Sequence, residues 1–205
     1  MKVLILNGSP RKNGNTELAI NELVSTFELN GIQTIVKRVA LADVAGCRAC
    51  LACYKTGKCV INDEVNEVAK LFEECDGLIL ASPVYYAQPN ATLVAFTQRL
   101  FYSTRFDKRF KVGASVAIAR RGGCSSTFDA LNKFFTICGM PVASSQYWNS
   151  VHGREKGEAV NDGEGMQTMR TLANNMSFLI KSIALGKEKY GLPQKEERIS
   201  TNFIK

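Results

Sequence analysis

The chain has 205 residues, of which 45% are hydrophobic and 22% charged, ordinary proportions for one globular domain whose core needs no disulfide staples. Its net charge of +7 comes from 26 basic and 19 acidic residues scattered among one another, which argues against a nucleic-acid-binding stripe. No apolar run reaches transmembrane length, and seven cysteines without a signal-peptide pattern exclude a disulfide framework and predict a cytoplasmic protein with metal or redox chemistry to explain.

In chain order, Val3 to Leu6 is a short apolar run of the kind found in a strand buried on both faces. A polar loop from Asn7 to Thr16 follows, then a helical pattern with Ile20, Leu23, Val24 and Phe27 on one face, ending near Asn30 and Gly31. Gln33 to Leu41 reads as a second strand, and residues 46 to 59 as a cysteine-dense loop. Asn62 or Asp63 caps a helix carrying Val65, Val68, Ala69 and Phe72. Gly77 to Ala81 is a third buried strand running directly into Ser82-Pro83-Val84-Tyr85-Tyr86. Asn90 can cap the next helix, with Leu93, Phe96 and Leu100 inward. A fourth strand spans Val112 to Ala119 and ends in Arg120-Arg121-Gly122-Gly123-Cys124, before a helix marked by Phe128, Leu131, Phe135 and Cys138 and closed by Gly139. Pro141 to Tyr147 is the fifth predicted strand. Asp162 opens a last helix, with Met169, Leu172, Met176, Leu179 and Ile183 inward, that stops near Gly186; residues 187 to 205 read as a charged arm or disordered end.

Five buried strands alternating with helices predict an α/β fold, a doubly wound parallel sheet with helices on both faces, over residues 1 to 186. In such a sheet, ligands sit beyond the carboxyl ends of the strands at the switch point. If the first, third and fourth strands are neighbours, the loops at 7 to 16, 82 to 88 and 120 to 124 meet there.

The first of these loops has the composition of an anion site. A small-residue loop leading into a helix N-terminus directs backbone N–H groups and the helix dipole at one point. Ser9 and Thr16 add hydroxyls, Asn13 and Asn15 amides and Arg11 a charge, with Gly14 before the helix. The simpler alternative is a βα turn in which Asn15 caps the helix. The glycines do not match the G-x-G-x-x-G dinucleotide pattern. Elsewhere, Cys47, Cys50, Cys53 and Cys59 sit in a loop with Arg48, Lys55 and Lys58. Four thiolates so spaced can ligate a [4Fe–4S] cluster; zinc, a redox disulfide and plain reduced thiols are the competing readings. Cys75 and Cys138 fall on apolar helix faces as packing residues; Cys124 follows the glycines of the third loop, where it reads first as a plain neighbour of the bound ligand and only secondly as a thiol whose pKa a helix N-terminus lowers. Tyr85 and Tyr86 are placed to stack on a ring, and His152 is an isolated histidine near the same end of the sheet.

Gly8-Ser9-Pro10-Arg11 with Gly14-Asn15-Thr16 resembles the phosphate loop of the NADPH-dependent FMN reductase group of the flavodoxin-like superfamily. Ser82, Pro83, Val84, Tyr85 and Tyr86 resemble its second flavin loop, and Arg121, Gly122 and Gly123 its third. The spacing of Cys47, Cys50, Cys53 and Cys59 resembles the compact motif of the iron–sulfur flavoproteins, a branch of that group. The resemblance covers residues 1 to about 185. It implies a flavodoxin-like strand order of 2-1-3-4-5 and bound FMN, its phosphate in the first loop and its ring against the other two. It also implies NAD(P)H as co-substrate, a quinone, flavin or iron complex as acceptor, and a homodimer or homotetramer. A non-enzymatic electron carrier loaded by ferredoxin is the alternative. Neither reading calls for nucleic acid or a membrane.

Overall fold

Val3, Leu4, Ile5 and Leu6 are fully buried because the strand that carries them lies in the middle of the sheet. The computed structural model describes residues 1–197 and 199–203. Its strands are β1 (Lys2–Asn7), β2 (Gln33–Arg38), β3 (Gly77–Tyr85), β4 (Gln88–Pro89), β5 (Val112–Ala119) and β6 (Ser150–His152). The helices are α1 (Asn15–Leu29), α2 (Cys53–Thr56), α3 (Glu64–Glu74), α4 (Ala91–Ser103), α5 (Cys124–Thr136) and α6 (Gly163–Tyr190), with a 3-10 turn at Glu158–Asn161. The parallel path runs β2-β1-β3-β5-β6, which is the predicted 2-1-3-4-5 order once β4 is set aside as a short antiparallel partner of β3.

Two apolar layers hold the sheet. On one face Ile5, Ile79 and Val116 pack with Leu23 and Phe27 of α1 and Met169, Leu172 and Met176 of α6. On the other, Leu4, Leu6, Leu78 and Leu80 pack with Val68 and Phe72 of α3, Phe96 and Leu100 of α4 and Leu131 and Phe135 of α5. The caps follow ordinary chemistry: Asp63 accepts from the Val65 N–H at 3.1 Å, and Asn90 from the Leu93 N–H at 3.1 Å.

Several boundaries differ from the sequence reading. The second strand stops at Arg38 rather than Leu41. The third extends to Tyr85 and turns back as a hairpin, with Tyr86 (φ 49°) and Ala87 (φ 59°) at its tip. The fifth strand is Ser150–His152, not 141 to 147. Val142 makes a single bridge to Gly113, after which local bonding removes the chain from the ladder. The Ser145 hydroxyl lies 2.6 Å from the Tyr147 carbonyl and 2.7 Å from Asn149 Oδ1. Side chain to backbone bonds of that kind compete with strand pairing. The last helix passes through Gly186 and ends at Tyr190, closed by Gly191 at φ 72°. One half-buried helical glycine costs only about 1 kcal/mol, and charged helix formers follow it. Cys75 and Cys138 each lie just past a helix end rather than on its face. The charged-arm reading for Arg198, Ile204 and Lys205 lies outside the described residues. Among the described residues, no helix is long and apolar enough to cross a membrane.

Candidate functional site

The strand order places the ends of β1, β3, β5 and β6 side by side, and the segments leaving them enclose one cleft of about 580 Å³ counted to its open mouth. Its walls are Ser9, Arg11, Gly14, Asn15 and Thr16, then Pro83, Val84 and Tyr85, then Ile118, Ala119 and Arg120, and finally Gly153 and Arg154. The N-cap of α1 is Gly14, not Asn15, and no side chain caps that helix. An uncapped first turn at a cleft lined by Ser9, Arg11 and Thr16, residues that carry two hydroxyls and a guanidinium, suits a phosphate ester.

The loop is braced from behind. Gly8 donates its N–H to the Ala81 carbonyl at 2.8 Å, and a Cβ at Gly8 would lie 2.8 Å from Leu93 Cδ2, so only glycine lets the loop cross α4 there. Arg38, at the end of β2, donates to the Ser9 carbonyl at 3.0 Å and the Arg11 carbonyl at 2.8 Å, and pairs with the Glu17 carboxylate. Glu17 in turn accepts from the N–H of Asn13, at φ 53°, at 2.8 Å. Asn15 is committed elsewhere. Its Oδ1 accepts from Gly157 and Ala159 N–H, both at 3.1 Å, and its Nδ2 donates to the Glu155 carbonyl at 3.0 Å. It therefore anchors the segment after β6 to α1, while its backbone stays in the cleft wall.

The remaining predicted residues divide in the same way. Pro83, Val84 and Tyr85 line the cleft. Ser82 is fully buried, donating to the Pro83 carbonyl and accepting from the Asn90 N–H, both at 2.8 Å. Tyr86 stands wholly exposed at the hairpin tip, and Arg121 and Gly122 are exposed beside the cleft rather than on its wall. Gly123 supports the hairpin from beneath. Sequence reasoning did not single out Arg38, Ile118, Ala119, Gly153 or Arg154, because none sits in a recognisable motif and each arrives through sheet order or the last loop.

Cys124 opens α5, and its Sγ lies 3.9 Å from His152 Nε2. His152 Nδ1 is 3.5 Å from Asp162 Oδ2, which also accepts the His152 N–H at 2.6 Å. A helix N-terminus by itself would lower the Cys124 pKa, the less favoured of its two readings from sequence. Instead burial, reinforced by the Asp162 charge, raises it from 9.0 to about 11. At pH 8 that leaves about one thiol in a thousand ionised, roughly a hundredfold fewer than for an ordinary thiol. Labelling with iodoacetamide at pH 8, followed by mass spectrometry, is expected to modify Cys124 about a hundredfold more slowly than a free cysteine peptide. Equal rates would mean that His152 and the helix dipole outweigh burial.

The second group of predicted residues gathers against α4. Cys47, Cys50, Cys53 and Cys59 line one recess with Arg99, Tyr102 and Ser103 of α4. Cys47 and Cys50 are exposed, Cys53 is buried and Cys59 half-buried. Among the described residues, no three cysteine, histidine or acidic side chains already stand together as a metal site. The surroundings nonetheless fit a thiolate-held cluster. Ala49 (φ 51°) and Leu51 (φ 57°) take left-handed conformations that wrap the loop around the recess, a strain non-glycine residues carry mainly at functional sites. Asn66 of α3 pins the far side, accepting the Cys59 N–H at 3.0 Å and donating to the Cys59 carbonyl at 3.0 Å. Arg99 Nη2 lies 3.2 Å from Cys59 Sγ, and the Ser103 hydroxyl is buried in the recess wall without a partner.

Compared with known proteins, residues 1–155 match the family model of NADPH-dependent FMN reductase. An iron–sulfur flavoprotein of Methanocaldococcus jannaschii is 35% identical over 191 residues, covering 89% of this chain and 99% of the relative. An iron–sulfur flavoprotein of Methanosarcina thermophila is 31% identical over 193 residues, covering 92% of this chain and all of the relative. A flavodoxin from the domain Archaea superposes with a TM-score of 0.60 at 14% identity, over 88% of this chain and 99% of that one, a likeness of fold.

Proposed function

This chain belongs to the NADPH-dependent FMN reductase family, in its iron–sulfur flavoprotein branch, and from that premise we propose that it is an NAD(P)H oxidoreductase passing electrons to a small acceptor. The observation that carries the proposal is the single cleft in which an uncapped helix N-terminus faces the ends of three further strands. When bound, FMN supplies hydride acceptance at its ring and an iron–sulfur cluster supplies one-electron transfer.

The chain's own residues then have distinct tasks. Ser9, Arg11, Thr16 and the first turn of α1 bind the phosphate, while Arg38 and Glu17 hold their loop in shape. Val84, Tyr85 and Ala119 form the walls against which the ring is oriented and water excluded. Arg120 and Arg154, exposed at the mouth, offer positive charge to an anionic co-substrate. Cys47, Cys50, Cys53 and Cys59 hold the cluster. Two of their thiols are exposed, so a protein such as ferredoxin can reach the recess as well as a small acceptor.

Anaerobic stopped-flow mixing with NADPH tests the reading. Loss of the flavin absorbance within seconds is expected. A flavin that stays oxidised for minutes with NADPH and NADH, yet is reduced by ferredoxin, would make the chain an electron carrier. The spectrum before mixing is expected to show a broad absorbance beneath the flavin bands, removed by iron chelation.

A further inference from the structure

Arg99, 1% exposed, is the largest fully buried side chain among the described residues, and it shares the buried face of α4 with Leu93, Phe96 and Leu100 and with the polar Thr97 and Ser103. Burying a guanidinium is costly unless its donors are used. Arg99 forms a fork with Asp63, at 2.5 and 3.0 Å, and reaches the carbonyls of Ala45 at 3.3 Å and Ile61 at 3.4 Å. It also donates to Cys59 Sγ at 3.2 Å. One donor remains: Nε is buried and unpartnered. One turn along α4 the Ser103 hydroxyl is in the same condition, and both residues line the recess of the four cysteines. A guanidinium keeps its charge at every ordinary pH, so the positive charge beside Cys59 is permanent.

A packing role alone does not account for this arrangement. A buried fork with Asp63 would serve a structural end without any donor aimed at sulfur. Two unused donors on neighbouring residues that line the recess of the four thiols are what a sulfur-rich guest with several acceptor atoms requires.

We propose that Arg99 and Ser103 are the hydrogen-bond donors from α4 to the sulfurs of the cluster, and that Arg99 sets its reduction potential. This rests on the reading that the four cysteines hold a cluster. Reduction adds one negative charge, and a fixed cation bonded to a ligand sulfur in a poorly solvated recess stabilises the reduced form more than the oxidised one. Arg99 therefore raises the potential. Asp63 positions the guanidinium and partly offsets its charge, which limits the effect.

The test compares wild type, R99K and S103A, purified anaerobically with FMN bound. Iron and sulfide are counted per chain, and the cluster potential is measured by titration followed by electron paramagnetic resonance. R99K keeps a charge but loses the planar fork, and S103A removes one hydroxyl without altering the ion pair. R99K is expected to disfavour cluster reduction at least tenfold, a fall of about 59 mV for a one-electron couple. S103A shifts the potential in the same direction by less, and the FMN potential and melting temperature of S103A stay unchanged. A variant that loses iron while retaining FMN and its melting temperature also supports the assignment. Iron-replete variants with the wild-type potential overturn it, and should R99K fail to fold, S103A decides alone. Wild-type protein without iron overturns the cluster reading itself, and this inference with it.

Discussion

Replacing Arg38 by alanine is expected to weaken FMN binding ten- to a hundredfold, although Arg38 is absent from the wall of the cleft. Its guanidinium spans the Ser9 and Arg11 carbonyls and the Glu17 carboxylate, and Glu17 holds the Asn13 N–H. A hydrogen bond to a charged group contributes about 1.5–3 kcal/mol, and about 1.4 kcal/mol corresponds to a factor of ten in affinity. If the phosphate loop relaxes by that much, the dissociation constant rises by one to two decades. Titrating apoprotein with FMN and following flavin fluorescence measures it. R38K keeps the charge but cannot reach both carbonyls in a fixed fork, so it should lie between wild type and R38A. An unchanged dissociation constant in R38A would show that the loop holds its shape without the brace.

The same brace has a pH signature. The Arg38 hydrogen bond, which outweighs the opposing effect of burial, and the Asn13 N–H hold the Glu17 carboxyl below its ordinary range. A carboxyl with a lowered folded pKa contributes stability that is fully present above its unfolded value, about 4.3, and is lost as the pH falls through the folded value. The stability gap between wild type and E17Q, measured by thermal unfolding, is therefore expected to be full at neutral pH and to close as the pH falls below the ordinary carboxylate range.

Gly123→Ala is expected to be the most damaging single methyl in the cleft loops. Gly123 stands at φ +90°, where L side chains are strained by about 1–2 kcal/mol. Its new Cβ would lie 2.9 Å from Ala87 Cα and 2.9 Å from Val84 Cγ1. Backbone at that distance cannot yield as a flexible side chain would, so the hairpin carrying Val84 and Tyr85 must move. The hairpin has little slack: two non-glycine residues already occupy left-handed positions at its tip, and Ser126 ties the Ala87 carbonyl at 2.8 Å. A loss of roughly 2–3 kcal/mol, or about 5–10 °C in melting temperature for a domain of this size, should accompany at least tenfold weaker FMN binding. Gly122→Ala is the control for stability, because a Cβ there meets nothing within 4 Å. Thermal unfolding and FMN titration of the two variants separate a local clash from a general intolerance of the loop.

Much of this protein was legible in its residues alone. Runs such as Val3 to Leu6 and Val112 to Ala119 are apolar without alternation, and a strand of that kind is stable only when covered on both faces; the doubly wound sheet follows. The switch point follows from strand order, which is why the loops at 9 to 16 and 83 to 85 meet where the sequence reading put them. The spacing of the four cysteines, carried on one loop, is likewise local information, and they do share one recess.

What the tertiary structure decided is which polar side chains do the holding. Arg38 and Arg99 look like any other basic residues, yet one braces the loop before α1 across 27 residues and the other reaches Cys59 across 40. Asn15, read as a phosphate ligand or a cap, instead ties down a segment 140 residues away. Burial raises the Cys124 pKa where a helix N-terminus alone would lower it. The fifth strand moved because Ser145 bonds its own neighbours, a choice that hydrophobic pattern does not encode. Periodicity records which face of an element is apolar. The partner of a polar group is set only when distant elements meet, because hydrogen bonds and desolvation depend on distances that the fold itself creates.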